Sequence, residues 1–128
     1  MHSGFAALRG DYPMNLRQAY RDTGPSDAVL RELGRLDTIW SQARKTCGAE
    51  GPWLCGDYCV ADAFFAPVAA RIAGYGLPVT PQAAAYVAVH LPHPSFDAWR
   101  AAALIQGPDL PQYGRDHPPA NWPVVNHS

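Results

Sequence analysis

The stretch GDYCVADAFFAPVAA, residues 56–70, decides the fold of this protein. Almost every side chain after Tyr58 is apolar, yet Asp62 lies inside the run, three residues after Cys59. If a helix begins after Cys59, this cysteine is the N-cap residue and Asp62 is the third helical residue, which is the spacing of a capping box. A carboxylate there accepts the backbone N–H of the cap residue and favours the helix dipole. We therefore interpret Cys59 and Asp62 as a structural capping box; a catalytic or metal-binding Asp62 is the alternative.

The three cysteines match neither a metal site nor a disulfide framework. Zinc normally takes four nitrogen or sulfur ligands that include close cysteine pairs, and only Cys55 and Cys59 lie close together in the sequence. An odd number of cysteines does not indicate a disulfide framework. We therefore predict free thiols at Cys47, Cys55 and Cys59, and no metal. Because a thiol is a weaker acceptor than a hydroxyl, we also expect the Cys59 half of the box to be poor.

Hydrophobic spacing predicts an all-α fold, a bundle of about five helices with short connections. The predicted helices cover residues 1–9, the stretch between the cap Ser26 and the stop Gly48, and residues 60–73, 81–91 and 93–104. Gly74 and Gly76 are expected to end the third helix, and Thr80 to cap the fourth. No strand pattern competes with this assignment. The helical domain therefore spans residues 1–104, and residues 105–128 form a proline-rich extended tail unless they pack back on the helices.

Composition narrows the classes of function. The 128 residues suit one domain, and 48% hydrophobic with 16% charged residues allow a sizeable core. A formal net charge of -1, with scattered basic residues, gives no general attraction to nucleic acid. No apolar run approaches the length of a membrane span, and the N-terminus lacks the features of a signal peptide. We therefore expect a cytoplasmic protein that binds neither nucleic acid nor membranes.

The segment WLCGDYCVADAFFAPVAARIAGYGLP, residues 53–78, resembles the core of the C-terminal helical domain of glutathione S-transferases. In that family a G-(D/K)-x-(S/T)-hydrophobic-A-D pattern opens the central helix as a capping box. The matching residues are Gly56, Asp57, Val60, Ala61 and Asp62, and Cys59 departs from the pattern. HPSFDAWRAAAL looks like the family's terminal helix. MHSGFAALR is similar to the D-I-H-P-x-x-N-L-R stretch of zeta-class enzymes, which include maleylacetoacetate isomerases. Leu8 and Arg9 match in position, and His2 lies one position before the histidine of the pattern.

The resemblance implies a parent enzyme that uses glutathione as co-substrate to conjugate or isomerise a small electrophile. Such enzymes begin with a thioredoxin-like domain that carries most of the glutathione site and the catalytic residue, and nothing in this sequence reads as βαβ. The chain is then a fragment, has a misassigned start, or is a natural orphan domain. We expect no catalytic residue in it, no activity of the chain alone, and a homodimer.

Four residues are candidates for substrate binding on the strength of the resemblance. His2 lies in the segment that in the family faces the cleft between the two domains; the alternative is a surface histidine. Met1 and Phe5 are candidates to line the same apolar pocket, with core packing as the alternative, and Tyr113 in the tail is a candidate to close it. The face that includes Met1 and Phe5 is expected to be apolar and exposed.

A stand-alone, non-catalytic protein-interaction module is the second hypothesis for function. Helical domains of the glutathione transferase type also serve as protein-binding scaffolds. A stable product of this length that does not bind glutathione would favour the module over the enzyme half.

Overall fold

The structure, a computed structural model, describes residues 5–12, 15–16, 19–21, 23–48, 52–105, 119–120 and 122. These residues are mostly helical, which confirms the all-α class. The helices are α1 (Ala6–Asp11), α2 (Asp27–Cys47), α3 (Val60–Tyr75), α4 (Pro81–His90) and α5 (Pro94–Ile105). Two-residue strands, β1 (Ala19–Tyr20) and β2 (Pro119–Ala120), pair antiparallel with Ala19 opposite Ala120. Strands this short leave no alternation in the sequence, so hydrophobic periodicity did not predict them.

Helix α2 has the ends that its sequence predicts. The Ser26 side chain accepts the Val29 N–H at 3.3 Å, and Gly48 adopts the left-handed conformation with a φ of 63°. One face of the helix enters the core through Val29, Leu33, Leu36 and Trp40. This face contributes to a single large cluster that also takes side chains from α1, α3 and α4.

Helix α1 begins at Ala6. The predicted helix over residues 1–9 is wrong at Phe5, because Phe5 is the N-cap residue and has a non-helical backbone. No residue next to the start of α1 caps it with a side chain. The cap is instead a side chain of α2. Glu32 is buried, and its two carboxylate oxygens accept the N–H groups of Ala7 and Leu8 at 3.1 and 2.7 Å. A carboxylate at a helix N-terminus satisfies otherwise unpaired donors and favours the dipole.

Helix α3 continues past Gly74, where the sequence predicted its end. Gly74 is a buried helical residue, and the helix stops at Gly76, which has a φ of 60°. The N–H groups of Gly76 and Leu77 both donate to the Ile72 carbonyl, as in a glycine-terminated helix. A glycine alone does not end a helix; the left-handed residue does.

The tail packs back on the helices at the residues described there. β2 pairs with β1, and Trp122 packs against a small buried cluster of Leu16, Ala70 and Phe96. The Arg100 guanidinium lies 4.4 Å from the centroid of the Trp122 ring. Trp122 therefore links the tail to α3 and α5.

Cys47 and Cys55 form a disulfide, so the prediction of free thiols is wrong for this pair, while Cys59 is free. The loop after α2 turns back on the helix, and Arg44 Nη1 donates to the carbonyls of Pro52 and Trp53 at 3.2 and 3.1 Å. This turn brings the two cysteine Cα atoms to 5.2 Å, within the usual bridging range.

Candidate functional site

Asp62 lies at the centre of a buried hydrogen-bond network and has no exposed surface. Its Oδ2 accepts the Cys59 N–H at 2.9 Å, the hydrogen bond that the capping-box spacing predicts. Its Oδ1 accepts the Leu54 N–H at 3.2 Å and the Tyr86 hydroxyl at 2.8 Å. One carboxylate thus joins the loop before α3, the first turn of α3 and the middle of α4. A general acid or base must reach a substrate, and this carboxylate is enclosed with three donors, so its geometry is structural.

In the Cys59 half of the capping box, the Asp62 N–H has two acceptors, the thiol and the carbonyl oxygen of Cys59. The thiol faces the N–H of Asp62 in capping-box geometry, and the same N–H donates to the Cys59 carbonyl at 3.0 Å. A carbonyl oxygen is a stronger acceptor than a thiol sulfur. The thiol is therefore the weaker of the two acceptors at this donor, and it adds little.

An aromatic cluster of Trp53, Tyr58, Tyr86, His90 and His93 packs beside Asp62. Tyr58 stacks on His93 with ring centroids 3.9 Å apart, and Trp53 meets the His90 ring edge-on at 5.1 Å. Burial, with the hydrogen bond to Asp62, raises the pKa of Tyr86 above its ordinary value. Tyr86 therefore stays a hydroxyl donor over the range in which proteins are folded.

His90 is a buried, neutral member of the aromatic cluster. Burial lowers its pKa to about 4, although the Asp62 carboxylate opposes this shift and His93 adds to it. Its Nε2 is buried without a hydrogen-bond partner. The imidazole is therefore uncharged at neutral pH and packs as an aromatic side chain.

The predicted substrate-binding residues fall mostly outside what the structure describes. Met1, His2 and Tyr113 lie outside the described residues. Phe5 is described, and the expectation that it is exposed is wrong, because only 5% of its surface is accessible. It packs in the main core beneath the Arg35 guanidinium, which lies 5.0 Å from the ring centroid. Substrate binding by these four residues stays a prediction.

A cleft between α2 and α4, which we call the α2–α4 cleft, has a volume of about 200 Å³. Its lining residues are Asp37, Trp40, Ser41, Arg44, Pro52, Gln82, Ala83, Ala85, Tyr86 and Val89. Phe5 is not among them, so this cleft is separate from the predicted pocket at the N-terminus. Two further clefts along α2 share Asp37 with it.

Sequence reasoning missed two residues of this region. The sequence places Trp40 on the core face of α2, where it is buried, but its indole Nε1 has no hydrogen-bond partner. Tyr86 was not singled out, although a buried carboxylate such as Asp62 needs donors from elsewhere in the chain. The need of Asp62 for donors was the only available signal, and the hydroxyl of Tyr86 on α4 is one such donor.

Comparison with protein-family models, with curated proteins and with solved structures finds no match for the chain. The described part of the chain holds no group of three or more His, Cys, Asp and Glu side chains that could bind a metal ion. Among the same residues, no helix combines the length and the apolar character that crossing a membrane requires. The motif residues and their geometry are therefore the features of the chain that point to a function.

Proposed function

We propose that this chain is the helical, substrate-binding half of a glutathione S-transferase. The parent enzyme conjugates glutathione to a small electrophile or isomerises one. The observation that carries the proposal is the position of Asp62. The residues that resemble the family's capping pattern surround a carboxylate that accepts the N–H of the cap residue and the Tyr86 hydroxyl. This is the role that the pattern has in the family.

In this proposal the chemistry is attack by the glutathione thiolate on the electrophile. The thiol loses its proton, a sulfur–carbon bond forms, and a leaving group departs with the bonding electrons. In a zeta-like isomerisation, glutathione adds, a carbon–carbon bond rotates, and glutathione leaves. The group that activates the thiol lies in a thioredoxin-like domain outside this chain. This half holds the electrophile near the sulfur, since positioning is what a substrate surface contributes.

Exposed apolar side chains support a partner surface on this half. Val60 is 84% and Phe64 is 52% accessible, and the two lie one turn apart on α3. Trp99, Leu104 and Ile105 are exposed on α5. Exposed apolar patches mark interaction sites, and in this proposal the partner is the thioredoxin-like domain or the second subunit of a homodimer.

The test of the proposal is the reading frame upstream of the chain. We expect it to encode a thioredoxin-like domain, and we expect the joined protein to conjugate glutathione to a general electrophilic substrate. The 128-residue chain alone is expected to show no turnover. An upstream region without such a domain, or a joined protein that neither binds glutathione nor turns over, would overturn the proposal.

The exposed side chains of α3 also favour a second candidate function, a stand-alone protein-interaction module. Calorimetric titration of the purified chain and of the joined protein with glutathione separates the two. Binding that appears only in the joined protein supports the enzyme half. A stable chain, no glutathione binding in either form, and loss of a protein partner on Phe64→Ser support the module.

A further inference from the structure

We propose that Cys47 and Cys55 form a reversible thiol–disulfide site that reacts with a small dissolved thiol of the glutathione type. The bridge joins the end of α2 to the loop before α3. Its opening loosens the junction that Asp62 holds together. The site does not depend on the proposed transferase function, because it requires only residues of this chain and a thiol in solution.

The position of the two cysteines makes the bridge accessible to a thiol. Cys47 is the last residue of α2, Cys55 lies in the loop before α3, and both are exposed. In thiol–disulfide exchange a thiolate must reach one of the two sulfur atoms. Exposure is one of the features that distinguish labile and regulatory disulfides from resistant structural ones. A dissolved thiol therefore meets this pair at the surface of the protein.

The loop before α3 is held in place by contacts other than the bridge. The Arg44 guanidinium donates to the carbonyls of Pro52 and Trp53. Leu54 is 1% accessible, and its N–H donates to the Asp62 carboxylate. Because these contacts do not involve sulfur, the reduced chain keeps the two cysteine Cα atoms, 5.2 Å apart in the structure, within bridging distance. The bridge can therefore close again after it has opened.

The length of the closed loop sets the size of the effect. The two cysteines have a sequence separation of 8. The entropy that a disulfide removes from the unfolded chain grows with the number of residues in the loop, so a short loop contributes toward the lower end of the usual range. Opening the bridge therefore weakens the junction of α2, the loop and α3 but leaves the chain folded.

The reaction consumes two glutathione molecules for each bridge. The first glutathione thiolate attacks one protein sulfur, the sulfur–sulfur bond breaks, and the other cysteine leaves as a thiolate that takes up a proton. A second glutathione thiolate attacks the glutathione sulfur of this mixed disulfide and releases the second protein thiol. The protein gains two electrons, and one glutathione disulfide forms. Glutathione disulfide reverses both steps.

The test is equilibration of the purified chain in buffers with different ratios of reduced glutathione to glutathione disulfide. Free thiols are then alkylated, and mass spectrometry of the peptides measures the label on Cys47 and Cys55. We expect both to be labelled at high ratios. When the ratio is lowered again, both should be protected without added glutathione mass. A bridge that stays closed in excess reduced glutathione, or that does not form again, would overturn the proposal.

Amide hydrogen exchange tests the link between the bridge and Asp62. The Leu54 N–H, a buried donor to this carboxylate, should exchange roughly tenfold to hundredfold faster in the reduced chain than in the oxidised chain. The Val29 N–H, which donates to Ser26 at the far end of α2, is the matched control and should change little. No change at Leu54, or an equal change at both amides, would contradict the link.

Two variants separate the bridged pair from the third cysteine. The double variant Cys47→Ser with Cys55→Ser forms no bridge, so its Leu54 exchange rate should equal that of the reduced chain in every buffer. Cys59→Ser is the matched control, because Cys59 is a free thiol next to the same loop, and it should keep the full response to the glutathione ratio. Loss of the response in Cys59→Ser, or a response that survives in the double variant, would contradict the proposal.

Discussion

At the scale of single residues, Asp62 is a buried acceptor that joins three segments of the chain. Its oxygens accept hydrogen bonds from the N–H groups of Leu54 and Cys59 and from the hydroxyl of Tyr86. Buried acceptors of this kind stabilise mainly because losing them leaves several donors unpaired. The carboxylate is therefore required for the junction of α3, α4 and the loop between α2 and α3.

Asp62→Ala is expected to lower the free energy of unfolding by about 3 kcal/mol or more, because two buried donors and one part-buried donor lose their acceptor. Asp62→Asn keeps one acceptor oxygen and should lose less. Urea unfolding measures both. Asp57→Ala is the control, since Asp57 is an exposed carboxylate in the same loop, and it should change stability by less than about 0.5 kcal/mol. Equal losses at the two positions would contradict the network.

Cys59→Ser is expected to raise the melting temperature, with a gain of about 0.5–1 kcal/mol, because a hydroxyl caps better than a thiol. Differential scanning calorimetry measures the change. An unchanged or lowered melting temperature would mean that the thiol packs as a small apolar group and that the Cys59 carbonyl alone serves the Asp62 N–H.

His90 makes stability depend on pH between about 4 and 6.5. Its folded pKa of about 4 lies below the ordinary value of 6.5, so the unfolded chain binds more protons in this window. The contribution is complete above about pH 6.5 and is lost as the pH falls toward 4, by up to about 3 kcal/mol. Urea midpoints measured across this range check the slope. His90→Phe should flatten it, and an equally steep slope in that variant would place its origin elsewhere.

At the scale of elements, two helix ends depend on different kinds of residue. The C-terminus of α3 is local, because Gly76 adopts the left-handed conformation there. The N-terminus of α1 is not local, because Glu32 of α2 provides its cap. Local ends can be read from neighbouring residues, whereas an end capped from another helix cannot.

Gly74→Ala tests whether the glycine in α3 is needed for packing. A Cβ there would lie 3.5 Å from the nearest Trp122 ring atom, which is ordinary van der Waals contact. Since glycine costs about 0.5–1 kcal/mol inside a helix, we expect a gain of that size in thermal or urea unfolding. Gly74→Leu should instead displace Trp122 and lower stability. A loss in Gly74→Ala would show that the Trp122 contact allows no added methyl group.

At the scale of the whole molecule, the core brings together α1, α2, α3 and α4 and leaves part of α3 uncovered. Val60 and Phe64 lie on that uncovered surface. Their exposure is expected to promote association between copies.

Light scattering at high protein concentration should therefore detect a dimer or larger species. Phe64→Ser should shift the chain toward monomer, because it removes the aromatic side chain from the uncovered surface. Leu30→Ser is the matched control, since Leu30 is exposed on α2. A clean monomer of the unaltered chain would contradict the expectation.

The sequence predicted only part of the candidate site. The spacing from Cys59 to Asp62 predicted their hydrogen bond, because both residues belong to one helix turn. The Tyr86 hydroxyl and the unpaired Trp40 indole were not predictable, because each depends on how α2, α3 and α4 pack together. Met1, His2 and Tyr113 stay predictions from the resemblance.

Local patterns were enough to establish the all-α class, both ends of α2, the start of α4 and the capping role of Asp62, since caps and hydrophobic spacing act within a few residues. Tertiary structure decided the rest. It caps α1 with Glu32, buries Phe5, pairs Cys47 with Cys55 and returns Trp122 to α3. These contacts join residues that local periodicity does not relate, and their free energy exists only once the helices have packed.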